Sequence, residues 1–168
     1  MRLFIAINLS EPMRAALVRA QNELHDHGVR GSYTPEENLH LTLAFLGEVP
    51  DAGPVLEALS PVSFTAFELC LEGMGRFGDL WWAGIRESAP LAALARRVRH
   101  ALAESGVPFD RKRFSPHITL LRGARGSMPE IRLGSASMTV DTVALMRSDR
   151  GKNGMIYTEL GRLTAEKV

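Results

Sequence analysis

The chain has 168 residues, of which 45% are hydrophobic and 23% charged, and its formal net charge is +1. These values are ordinary for a globular chain and fit one compact domain, or two small lobes sharing a core. A balance so near neutral argues against a protein that coats polyanions, and no apolar run approaches the length of a membrane span.

The opening Met1-Arg2-Leu3-Phe4-Ile5-Ala6-Ile7 reads as a first strand. It is too short for a signal peptide and lacks a small-residue cleavage pattern. Ser10 and Pro12 then suit the cap and first turn of a helix. Met13, Ala16, Leu17, Ala20 and Leu24 recur at the spacing of one helical stripe, and Gly28 follows where a helix ends in a left-handed residue. His25 and His27, two apart on that helix, do not share a face and read as surface residues, as does His100.

A Pro-containing loop leads to His40-Leu41-Thr42-Leu43, a strand pattern in which His and Thr point one way and the leucines the other. A short helix is expected over Pro54–Leu59, after Asp51. Phe67, Leu69 and Leu71 alternate with Glu68, Cys70 and Glu72 as a further strand. Cys70 is the one cysteine, so no internal disulfide is available; it reads as a half-buried spectator, and a reducing cytoplasm is the expected compartment.

From Trp81 the pattern repeats. At a shift of 78, Leu3 meets Trp81, Phe4 meets Trp82, Ile7 meets Ile85, Ser10 meets Ser88 and Pro12 meets Pro90. Leu91, Leu94, Ala95, Val98 and Leu102 repeat the helical stripe, and Gly106 repeats Gly28. One residue is then lost, and His117-Ile118-Thr119-Leu120 repeats the first motif at a shift of 77. The stretch Gly123–Gly134, rich in Gly, Ser and Arg, reads as a mobile loop. Residues from Val140 to Arg147 read as one strand, apolar on both faces in part, and Met155–Leu160 as the last.

The two motifs are the chemically informative feature. With five His and eight Thr in the chain, about 0.24 His-x-Thr occurrences are expected by chance, and two are found, each followed by Leu. Two histidines are what acid–base chemistry at a phosphate ester requires. Residues 111–125 add Arg111, Lys112, Arg113, Arg122 and Arg125 without an acid, a local +5 around His117 that suits phosphate. The duplication predicts one α+β unit over residues 1–168, two-lobed, with pseudo-repeats of roughly 1–78 and 79–168. Both motifs then face one cleft.

These residues resemble the 2H phosphoesterase superfamily, in its RNA 2′,3′-cyclic phosphodiesterase (2′-5′ RNA ligase) branch. The resemblance covers nearly the whole chain. It rests on the opening strand, on Pro35-Glu36-Glu37-Asn38-Leu39-His40-Leu41-Thr42-Leu43 with Phe45-Leu46-Gly47, and on Phe114-Ser115-Pro116-His117-Ile118-Thr119-Leu120 with Arg122. One departure is visible: the loop before the first motif commonly carries a Trp in that family, where this chain reads Arg30-Gly31-Ser32-Tyr33.

The resemblance implies a bilobal duplicated fold with two antiparallel sheets around a central cleft and helices on the outside. It also implies opening of an RNA 2′,3′-cyclic phosphate to a 2′-phosphate by water, with no metal or other cofactor, by a monomer acting on RNA ends away from membranes. His40 is taken as general acid and His117 as general base, an order that near-symmetry leaves open. Thr42 and Thr119 would bond the non-bridging oxygens, and Arg122 would neutralise the developing charge. Trp81, Trp82, Phe45 and Phe114 are candidates to stack a base, Phe114 first because it lies in the basic segment. Two other functions share this cleft: nucleotide binding without chemistry, and ligation of 2′-5′ RNA junctions, in which a 5′-hydroxyl replaces water.

Overall fold

The computed structural model describes residues 1–167. Nine strands and three helices are found among them, in the order β1 (Arg2–Asn8), α1 (Glu11–Asp26), β2 (Arg30–Tyr33), β3 (His40–Glu48), α2 (Gly53–Leu59), β4 (Phe67–Phe77), β5 (Leu80–Ile85), α3 (Ala89–Glu104), β6 (His117–Arg125), β7 (Ser137–Val140), β8 (Thr142–Gly151) and β9 (Gly154–Thr164). Two antiparallel sheets result, of order β3-β1-β8-β9 and β2-β6-β5-β4-β7. No helix among the described residues is long and apolar enough to cross a membrane.

The repeat is physical as well as textual. Ser10 Oγ accepts the Met13 N–H at 3.3 Å and Ser88 Oγ accepts the Leu91 N–H at 3.2 Å, so both long helices start on the same cap. The two expected apolar stripes are buried without exception, and Gly28 and Gly106 close the helices with φ of 83° and 69°. Along β1, Leu3, Ile5 and Ile7 point into the core while Arg2, Phe4, Ala6 and Asn8 take the opposite face.

The sheets do not coincide with the halves of the repeat. β1 and β3, from the first half, share a sheet with β8 and β9 from the second, joined by the β1–β8 pairing; β4, from the first half, pairs with β5 and β7 from the second. The registers also differ. His40 faces Asn8 across β3 and β1, whereas His117 faces Gly84, two residues short of the position that the 78-residue shift would give. The slip is even, so both histidines stay on the same face of their sheets.

Three expectations are corrected. The single strand read over Val140–Arg147 breaks at Asp141: β7 pairs with β4 in one sheet and β8 with β1 in the other. The loop read from Gly123 begins later, since β6 runs to Arg125 against β2. β4 extends to Phe77, beyond the alternation visible at Phe67–Leu71.

Candidate active site

Both motif strands open onto one cleft of about 730 Å³ between the sheets. It is lined by His40, Thr42, His117, Thr119 and Arg122, together with Phe4, Phe45, Tyr157, Asn38 and Arg2, among others. In each motif the residues between and after, Leu41, Leu43, Ile118 and Leu120, are fully buried and anchor the strand in the core. Alternation along a rigid strand thus delivers one imidazole and one hydroxyl from each sheet.

The two imidazoles are held by the same device. His40 Nδ1–H donates to the Asn38 carbonyl at 2.7 Å, and His117 Nδ1–H donates to the Ser115 carbonyl at 2.6 Å. Each ring is fixed by the backbone two residues before it, and each keeps Nε2 for chemistry. In neutral His40, Nε2 accepts the Thr42 hydroxyl at 2.9 Å. Asn38 belongs to a 3-10 turn, Glu36–Asn38, and is itself buried. Its Nδ2 donates to the Met155 carbonyl at 2.9 Å, tying the His40 support to the start of β9.

Aromatic rings box each histidine from its own sheet. Phe4 and Tyr157 lie 4.9 and 5.3 Å from His40 between centroids; Phe77 and Trp82 lie 5.1 and 6.3 Å from His117. Burial pushes the His40 pKa below its ordinary value. The bond to the Asn38 carbonyl opposes that shift, and the positive charges of Arg122 and His117 add to it. Burial also raises the Tyr157 hydroxyl, with Arg122 pulling the other way.

Behind the site, the helices make crossed attachments. Gln21 of α1 donates from Nε2 to the carbonyls of Thr34 and Leu120, both at 2.9 Å. Arg99 of α3 donates from Nε to the Leu43 carbonyl at 3.1 Å. Leu43 and Leu120 are the closing residues of the two motifs, so each helix grips the motif strand of the other half.

A long helix and a His-x-Thr strand thus occur once in each half of the chain. The description "2'-5' RNA ligase superfamily" belongs to a family model that matches residues 9–152. The chain belongs to this superfamily.

Among its relatives, the RNA 2′,3′-cyclic phosphodiesterase of Archaeoglobus fulgidus is 35% identical over 95% of this chain and 98% of that protein. The Geobacillus stearothermophilus protein of the same name is 32% identical over 89% of this chain, which spans about half of it (52%). Escherichia coli LigT complexed with 3′-AMP superposes with a TM-score of 0.87 at 30% identity, covering 99% of this chain and 98% of that one.

Of the residues singled out in the sequence, His40, Thr42, His117, Thr119 and Arg122 share the superfamily member's cleft. Phe114 does not: it packs against the core under the Arg99 guanidinium, 5.7 Å from the ring centroid. Trp81 is buried and also lies outside the cleft, whereas Phe45 lines it. The sequence reading missed Asn38, Tyr157, Phe4 and Arg2. Phe4 and Arg2 carried a signal, since they alternate with the core residues of β1; Tyr157 carried none beyond its place in the last strand.

Proposed function

We propose that this chain opens RNA 2′,3′-cyclic phosphate ends to 2′-phosphomonoesters by two-histidine acid–base catalysis. The observation that carries the reading is the pairing of two identically tethered imidazoles, each with a threonine hydroxyl on the same strand face, around a cleft that also holds Arg122. The names of the relatives support it.

Water attacks the phosphorus while His117 Nε2 takes its proton. The P–O3′ bond breaks, and the proton on His40 Nε2 passes to the departing 3′-oxygen. Thr42, Thr119 and Arg122 hold the non-bridging oxygens as charge builds on them. The assignment requires His40 to enter the step as imidazolium. Burial of His40 favours the neutral ring. An arriving phosphate anion favours the charged form, so substrate binding and proton uptake at His40 are linked.

Phe45, about half exposed at 49%, replaces Phe114 as the surface for a base. The cleft draws residues from both halves of the chain, which suits a single catalytic unit over residues 1–168, and a monomer is the state proposed for it. The lone thiol of Cys70 suits a reducing compartment such as the cytoplasm.

The test is incubation with 2′,3′-cyclic AMP in EDTA and identification of the phosphomonoester. Formation of the 2′-phosphate is expected. His40→Ala and His117→Ala each lower turnover about 10²- to 10⁴-fold, and the double variant loses little more because the two act as a unit. Full turnover in both single variants would exclude the mechanism. Tight nucleotide binding without any product would favour a binding module.

A further inference from the structure

We propose that the end of the cleft formed by Arg2 and Arg150, beyond the ring of Phe45, binds the phosphate on the 5′-oxygen of the reacting nucleotide, so that the enzyme selects the end of an oligoribonucleotide over a free nucleoside cyclic phosphate. The proposal rests on the hydrolytic reading above and extends it to the choice of substrate.

Charge supplies the first argument. A 2′,3′-cyclic phosphate carries one negative charge, which Arg122 with one imidazolium already matches. The cleft lining holds two further guanidinium groups, Arg2 and Arg150, against a single carboxylate, Asp110. That carboxylate already accepts the Lys112 N–H at 3.0 Å. Nearby arginines are committed: Arg147 pairs with Asp149, and Arg162 with Glu159. Neither Arg2 nor Arg150 takes part in an ion pair among the described residues, although Glu48 stands opposite Arg2 in register. Two uncommitted cations in a cleft exceed what the reacting group needs and suit a second phosphate.

Position supplies the second. Arg2, Phe4 and Ala6 share one face of β1, and the β1–β8 register sets Phe4 beside Met146 and Arg2 beside Ser148. The Phe4 ring touches His40. Arg2 begins two residues further along the strand, about 6.6 Å away at the usual rise. Arg150 lies two residues past Ser148 on β8, and the opposing β9 strand brings Tyr157 against Ser148 and Met155 against Arg150. From the motif end outwards, the cleft therefore presents an anion site at the two histidines, then the rings of Phe4, Tyr157 and Phe45, then two guanidinium groups. A nucleotide within a chain has the same order: the reacting phosphate, the sugar and base, and the next phosphate. The Phe45 ring is about half exposed, which leaves it free to stack the face of a base.

Titration calorimetry with adenosine 2′-monophosphate and adenosine 2′,5′-bisphosphate isolates the added group. The bisphosphate is expected to bind about tenfold tighter or more, the scale of one charge-assisted contact. Arg2→Gln and Arg150→Gln should each shrink that ratio, and the double variant should bring it to about one. Equal affinities in the wild type, or a ratio that survives in the double variant, would overturn the proposal.

Turnover then separates the two sources of a 5′-phosphate. A diadenosine ending in a 2′,3′-cyclic phosphate is expected to exceed 2′,3′-cyclic AMP in kcat/KM by about tenfold or more, with the excess lost in the double variant and reduced in Phe45→Leu. A gain confined to 5′-phosphoadenosine 2′,3′-cyclic phosphate would refute selection of a chain. If the wild type opens no cyclic phosphate at all, the hydrolytic reading falls, while the calorimetry still decides the 5′-phosphate site.

Discussion

Gln21→Met is the substitution that most directly weighs the crossed attachments behind the site. Gln21 is one of the buried polar residues of the core, and its Nε2 supplies one donor to each of two carbonyls, at Thr34 and Leu120. Methionine keeps the length and flexibility of the stem and removes both donors. Leu120 retains the Thr34 N–H at 2.9 Å, so its oxygen is not orphaned. Two neutral hydrogen bonds at about 0.5–1.5 kcal/mol each give a loss of about 1–3 kcal/mol. For a chain of this length, about 2 kcal/mol lowers Tm by about 4–8 °C. Urea unfolding followed by circular dichroism reads the change directly, with an unaltered m-value expected. Because Leu120 adjoins Thr119, kcat on 2′,3′-cyclic AMP should fall as well. A midpoint unchanged within error would mean that these bonds carry no net stability, and that the helix is held by its apolar stripe alone.

Other outcomes follow from the same geometry. The unfolded chain protonates His40 near its ordinary value of 6.5, while burial in the folded state disfavours the imidazolium. The unfolded state thus binds more protons on acidification; the stability from keeping His40 neutral is complete above pH 6.5 and is lost as pH falls through the lower folded value. Urea midpoints at about pH 7.5 and about pH 5 should therefore diverge more for wild type than for His40→Gln. Ser10→Ala and Ser88→Ala should each cost about 1 kcal/mol and add in the double variant, since they cap separate helices. A Cβ at Gly84 would overlap the Glu72 carbonyl oxygen, so Gly84→Ala should cost about 1–3 kcal/mol and disturb the strand opposite His117, lowering turnover. Asn38→Ala frees the tie to Met155 and should lower kcat through the His40 support, visible as a shifted pH profile.

What could be read from the sequence was what periodicity and local chemistry encode. Serine caps, apolar stripes and left-handed glycines located both long helices, and alternation put His and Thr of each motif on one face. Sheet membership is not a local property, so the break at Asp141, where the chain leaves one sheet for the other, had no periodic signature. The second part of β4 was hidden by its glycines. Gly75 lies under the Trp82 ring, where any side chain would collide, and glycine there reads as loop until its partner is seen. The basic segment around His117 pointed to Phe114, yet charge along a sequence does not fix where a ring points; that ring packs against the core beneath the Arg99 guanidinium and does not line the cleft. Asn38 was unremarkable in sequence because its role depends on Met155, 117 positions away.

The exchange of strands between halves has a consequence for synthesis. Arg2 must wait for Ser148 before β1 gains its second neighbour, and Phe67 must wait for Val140. A nascent chain that has already emitted the first motif still lacks the hairpin that completes the sheet beneath it. The earliest element to emerge is therefore among the last to be locked, and folding is paced by contacts of long sequence separation. A ribosome stalled before β8 would hold a protein with both histidines made and no finished cleft to put them in.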